Sequence, residues 1–289
     1  MPPVGGQAVI EGVMMQSGDR VAVAVRRESD QAVLVQDLLP RRRFKRLGEI
    51  PFVRGVFRLY DMLSLGLRAL DVSAKLSYPE EEQIGRGGMT LTLIAGVLIA
   101  VGGFVVLPLV LANLIPGLRD GNPILFNLVE GLIRVVFFFA YLVGISQMRE
   151  IRRVFQYHGA EHMAVYAHEA GEELTVENAR RHSTLHPRCG TAFLMIVIFV
   201  AILVFSIAGN PTLWLKMLSR LLLLPVVAGI SYETLRYSGR NADRWWVRIL
   251  IRPGLWMQRL TTRRPTDDMI EVAIASLKRV TEPSPAETP

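Results

Sequence analysis

The run ILFNLVEGLIRVVFFFAYLVGISQM, residues 124–148, decides the class of fold. Its only charges are Glu130 and Arg134, one helical turn apart and able to pair. It is as long as the roughly 20-residue apolar helix that a hydrocarbon core demands. Three further stretches, residues 89–115, 191–208 and 213–235, have the same character. The last carries Lys216 and Arg220 near its start, where long stems would reach back to lipid headgroups. Hydrophobic residues make up 51% of the chain while the net charge is +7, so apolar and basic residues must be segregated along it. The expectation is a mainly α, polytopic helical membrane protein with four spans.

The distribution of Lys and Arg predicts the orientation, because these residues are retained on the cytoplasmic side. Residues 1–88, 149–190 and 236–289 hold nearly all of them, and the two short connections between spans contribute only Arg119. Four spans with both termini cytoplasmic satisfy every segment. The start MPPVGGQAVIEG lacks a basic region followed by an apolar core, so no cleavable signal is expected. The single cysteine, Cys189, excludes an intrachain disulfide.

Between and around the spans the composition changes several times. Residues 1–50 read as a small β-rich cytoplasmic unit: RVAVAVRR and QAVLVQ flank Glu28-Ser29-Asp30 as a β-hairpin, and the basic cluster PRRRFKR follows, read first as a solvated loop and otherwise as a site of attraction to anionic lipid or RNA. Residues 51–88 contain a long helix with a narrow polar stripe (Arg54, Arg58, Asp61, Arg68, Asp71, Lys75), expected in the headgroup layer or against the bundle. The hairpins 89–148 and 191–235 enclose a cytoplasmic helical segment, 149–190. Residues 236–280 open with RWWVRILIRPGLWMQRL, an interfacial composition, and close with a helix capped by Thr266. The tail, 281–289, is expected to be disordered.

All five histidines, 158, 162, 168, 182 and 186, fall in the 149–190 segment. His158 and His162 share a helix face, and with Glu161 they form His-x-x-Glu-His, the spacing of inverted zincins, in which the carboxylate takes a proton from metal-bound water. Further ligands would come from LHPRCG, where His186 and Cys189 stand just before the third span. Four N/S ligands would make a closed structural zinc site, and three would leave a position for water. The alternative is a set of hydrogen-bonded interfacial histidines beside a cysteine packed as a small apolar residue. Glu161 is the candidate general base; His158, His162, His186 and Cys189 are the candidate ligands of zinc or another divalent transition metal. Arg188 and Arg236 are candidate substrate contacts, and Glu233 is a further ligand, a partner for a histidine or a base, unless it simply pairs with Arg236.

The strings GGQAVIEGVMM, PFVRG, YHGAEH, LTVENAR, HPRCGTAFL and RLTTRRPTDDMIEVAI together resemble the YqhQ-like family of bacterial integral membrane proteins, a domain-of-unknown-function group labelled as predicted metal-dependent enzymes. Relatives often carry a lysine after HGAEH where this chain has Met163. The resemblance implies a metal-dependent enzyme whose gene neighbours serve translation, hence a ribosome-side or membrane-biogenesis role. Two functions are expected to compete. One is a metal-dependent hydrolase at the cytoplasmic membrane face. The other is a non-catalytic scaffold docking ribosome, RNA or anionic lipid through basic surfaces. Membrane lipid, membrane-biogenesis proteins and a second copy of the chain are the expected partners. A channel has only Glu130 and Arg134 to offer a polar path.

Overall fold

The computed structural model describes residues 4–40, 49–79, 85–118, 121–207, 212–241 and 244–282. The basic residues 41–46, Arg119 and the tail 283–289 lie outside the described residues. Four strands, β1 (Val4–Val9), β2 (Gly12–Ser17), β3 (Arg20–Arg26) and β4 (Val33–Leu38), form an antiparallel meander in sequence order. The predicted hairpin is therefore β3–β4, with Val21 opposite Leu38 and Arg26 opposite Val33. The glycine-rich start adds two more strands, for which the sequence reading had no place. A tight connection at Glu11, with φ of 49°, lets Val9 pair with Gly12.

The sheet is covered on both faces, which is why β2 and β3 are buried along nearly their whole length. On one face Val13, Met15, Ala22 and Ala24 pack with α5 (Arg149–Glu169), α6 (Val176–Arg180) and α10 (Asp267–Thr281). On the other, Val9, Met14, Val21, Val23 and Val25 pack on Leu65 and Ala69 of α1 (Val53–Ser77). The expected polar-striped helix exists, but its apolar face serves the sheet as well as the bundle. Its first turn docks on α8 (Leu213–Arg240): Arg54 grips Glu233 with two bonds of 2.6 and 2.5 Å, and Gly55 meets Gly229 where a Cβ on either would collide. The predicted Thr175 cap of α6 is present, with Asn178 N–H donating to its hydroxyl at 3.2 Å. Thr266 stands at the N-cap of α10 without a side-chain bond, and Asp267 and Asp268 fill the first turn.

The apolar helices are α2 (Arg86–Val101), continued through a π-helical turn at Gly102–Val106 into α3 (Leu107–Leu114), then α4 (Pro123–Ile145), α7 (Thr191–Ile207) and α8. Three helical stretches among the described residues are long and apolar enough to cross a membrane: Thr90–Leu114, Pro123–Ile145 and Trp214–Gly239. The expectation of four is corrected here, because α7 has only 17 residues. The outward surfaces of these helices are apolar, with Leu98, Leu132 and Leu222 all more than 60% exposed. Their interior holds charge. Glu130 accepts from Arg134 and, at 2.5 Å, from Arg220, which also donates to Asn127. Arg134 Nε donates to the carbonyl of Phe104 in the π-helical turn at 2.8 Å. Lys216 and Arg220 do not reach outward as expected. Both are buried, Lys216 over the Phe126 ring and Arg220 on Glu130, because a carboxylate inside the bundle offers a partner that apolar surroundings lack.

Candidate metal centre

Helix α5 begins after a three-residue break from α4 and brings Tyr157, Ala160, Met163, Ala164, Val165 and Ala167 into the core under the sheet. Gly159 fixes what crosses it. A Cβ there would lie 2.1 Å from the carbonyl oxygen of Arg263, so only glycine lets the chain between α9 (Trp245–Thr261) and α10 run against α5. That crossing is held by Arg263 N–H bonding the Phe155 carbonyl at 2.9 Å, and it delivers the Thr261 carbonyl to His158 Nδ1 at 2.8 Å. One turn on, His162 Nδ1 lies 2.5 Å from the Thr184 carbonyl. A carbonyl only accepts, so both imidazoles donate through Nδ1, and in the neutral ring Nε2 is then the nitrogen with the free lone pair.

The loop before α7 supplies the third group. Gln258 of α9 accepts from His186 N–H at 2.8 Å and donates to the His186 carbonyl at 2.9 Å, a two-bond clamp on this loop. Cys189 Sγ then lies 3.2 Å from His158 Nε2 and receives the Thr191 N–H at 3.4 Å. His158, His162 and Cys189 offer three ligand atoms all within 4.8 Å of one another. His162 Nε2 is buried and has no hydrogen-bond partner among the described residues. The donor set fits a divalent transition metal, since tetrahedral zinc sites use imidazole nitrogen and thiolate sulfur, and ligating histidines characteristically bond a backbone carbonyl through the other nitrogen.

The remaining sequence candidates divide. Glu161 Oε2 lies 4.0 Å from His158 Nε2 and 3.7 Å from His162 Nε2, beside the three ligand atoms. Burial raises its carboxyl above the ordinary range, against the pull of His158 and of a hydrogen bond from the backbone of Gly6. His186 stands next to His162, ring centroids 5.7 Å apart, but its nitrogens are engaged elsewhere: Nδ1 accepts from Arg188 N–H at 3.3 Å and Nε2 faces Glu169 at 3.4 Å. Burial pulls its imidazole down to about 4, although Glu169 opposes this. Arg188 pairs with Glu169 and lines the same cleft as Glu161. Glu233 and Arg236 line a different cleft, with Arg54 and Trp246, and the Glu233 carboxylate is held by Arg54 and the Phe52 N–H. His182 bonds Glu172 at 3.0 Å, and His168 lines a separate cleft with Arg20.

Sequence reasoning missed the carbonyls of Thr184 and Thr261, which carry no side-chain signal. It also missed Gln258 and Gly6. A cleft of about 550 Å³ opens onto the cluster, lined by Gly6, Gln7, Met14, Met62, Leu65, Glu161, His162, Arg188, Cys189 and Leu235, among others.

A mainly helical chain with a small antiparallel sheet, helices of membrane-crossing length and a buried His/His/Cys cluster is the class that fold and site define. The chain belongs to the DUF1385 family of proteins of unknown function, whose model matches residues 50–283. It is 34% identical over 296 aligned residues to the uncharacterized protein YqhQ of Bacillus subtilis (strain 168), covering 96% of this chain and 92% of that protein. No solved structure matches it.

Proposed function

We propose that the protein is a metal-dependent hydrolase of the bacterial cytoplasmic membrane, with its site on the cytoplasmic face. His158, His162 and Cys189 would hold the ion, leaving a coordination position open toward the cleft, and Glu161 would serve as general base. The observation that carries this reading is the buried, unpartnered Nε2 of His162, aimed with His158 Nε2 at the Cys189 sulfur. An imidazole nitrogen buried without a partner costs about 1–3 kcal/mol, and a bound cation removes that cost. A zinc ion would supply a polarised, readily deprotonated water.

The chain's own groups provide the rest. Thr261 and Thr184 accept from the ring Nδ1 atoms, Gln258 fixes the loop that carries Cys189, and burial raises the Glu161 carboxyl above the ordinary range, the direction that strengthens it as a base. Arg188, at the cleft wall, is the cation available to a developing oxyanion. The scaffold alternative draws chiefly on residues 41–46, outside the described residues, and no feature of the cleft favours it.

Elemental analysis of detergent-purified protein tests the reading. About one equivalent of transition metal is expected in the wild type and in Glu161→Gln, and far less in His162→Ala and in Cys189→Ser. Wild-type protein that binds no metal on reconstitution would end the proposal.

A further inference from the structure

The cleft has a second polar feature besides the His/Cys cluster. Strand β1 is an edge of the sheet, paired with β2 alone among the described residues, and its first half, Val4–Gln7, lines the cleft next to Glu161, His162 and Cys189. Gly5 and Gly6 are exposed. Val9 and Gly12 close the two-residue turn as a hydrogen-bonded pair, so two and four residues back Gln7 and Gly5 bond to β2 while Gly6, opposite Met15, turns its N–H away from β2, on the side where Glu161 packs against it. Side-chain and backbone directions alternate with a period of two along a strand. The Val4 N–H therefore shares that outward phase.

Glycine at position 6 is what permits this approach. A Cβ there would lie 2.4 Å from the Met14 carbonyl oxygen and 3.1 Å from Glu161 Cγ, whereas a Cβ on Gly5 would meet open space. The cleft around the edge is largely apolar, lined by Met14, Met62, Leu65, Val165 and Leu235. A strand edge that lines a half-apolar cleft is the arrangement that recognises another extended chain. The main chain supplies the bonds, and alternate side chains enter apolar pockets. An acyl lipid would use the walls and offer the edge no hydrogen bonds.

We infer that the substrate is an extended, apolar peptide segment that adds to the sheet alongside Val4–Gln7. Its assignment as substrate rests on the hydrolase reading, and its binding does not. At roughly 3.3 Å per residue, the Val4–Gln7 stretch pairs with about four residues of peptide. Cleavage then consumes one water: its oxygen bonds the scissile carbonyl carbon, the C–N bond breaks, and the proton accepted by Glu161 passes to the leaving nitrogen. No other reactant is needed.

The test is binding of a dansylated, C-amidated pentapeptide of alternating alanine and leucine to the full chain in detergent, after chelator treatment. Pairing predicts that N-methylation of alternate amides weakens binding about tenfold in one phase of the peptide and little in the other. Val4→Pro, which removes one outward donor at an edge that tolerates proline, should weaken the unmethylated peptide severalfold and leave the α-helical circular dichroism unchanged. Equal binding of both methylated phases would overturn the proposal. So would displacement of the probe by a short-chain phosphatidylglycerol combined with indifference to N-methylation, which would make the cleft a lipid site. Because the assay needs no metal, a metal-free protein would sink the hydrolase reading while leaving this measurement intact. Phase-dependent binding without hydrolysis by the metal-loaded chain would retain the peptide site and reject peptide as the substrate.

Discussion

At the scale of single residues, Gly159 bears more of the site than either neighbour in its motif suggests. Gly159→Ala would place a methyl group 2.1 Å from the Arg263 carbonyl, and backbone cannot step aside as a side-chain end can. The linker must lift, and the Thr261–His158 bond goes with it. The expected outcome is a loss of about 1–3 kcal/mol in stability and at least tenfold weaker metal retention, read by thermal unfolding and by chelator competition. Glu130 gives the second residue-scale prediction. It is buried and serves Arg134 and Arg220 at once, so Glu130→Gln leaves two guanidinium groups without their anion. A destabilisation of about 3–5 kcal/mol is expected, and Glu130→Gln paired with Arg220→Met should recover part of it. Residue types made the candidate cluster legible: two histidines four apart and the only cysteine are the three residues whose ligand atoms the fold brings within 4.8 Å of one another. His186 shows where that legibility stops. Its ring is turned to Glu169 and to the Arg188 N–H, a choice made by partners far apart in sequence or in the backbone, where no side-chain letter records it.

At the scale of elements, helices with strong apolar periodicity were readable, and so was the hairpin of β3 and β4 with its β-branched alternation. Strands β1 and β2 were not, because GGQAV and GVMMQS lack that alternation. β2 becomes a strand by pairing with β3, which is buried on both sides, and β1 by pairing with β2, so tertiary context overrides weak propensity there. Helix α1 illustrates the same limit. Its polar stripe was visible, yet which surfaces its apolar face would cover depended on a sheet whose first half had gone unread. Its docking on α8 rests on two glycines and one bidentate ion pair. Gly229→Leu would drive a side chain into the Phe52 carbonyl, 2.6 Å from the position of its Cβ. The first turns of α1 should then exchange amide hydrogens faster by at least tenfold, while the α5–α10 core, which shares no contact with Gly229, keeps its protection. Unchanged exchange at Arg54 and its neighbours would show that α1 is held by the sheet alone.

At the scale of the whole molecule, the number of crossings follows from which ends meet. The sheet, α5 and α10 share one core, so the start of the chain, the segment after α4 and the segment after α9 lie on one side. The α7–α8 hairpin has both its ends there as well: Cys189 precedes α7 and touches His158 of α5, while Glu233 near the end of α8 holds Arg54 of α1. At the opposite end of the bundle, Arg220 and Lys216 of α8 meet Asn127 and Phe126 of α4. If α8 crosses a membrane, α7 must cross it too, despite its 17 residues, a length of about 25 Å at 1.5 Å per residue and close to a thin hydrocarbon core. Three helical stretches among the described residues reach membrane length by themselves, and a crossing by α7 would be additional to them. α7 is short because the chain turns into it directly from the loop that carries Cys189. The test is labelling of intact cells with a membrane-impermeant maleimide. Thr212→Cys should react from outside, and Glu282→Cys only after permeabilisation, above the background of the buried Cys189 in wild type. Labelling of both positions from the same side would mean that α7 does not cross, and the metal centre would then have to be assigned to a different surface.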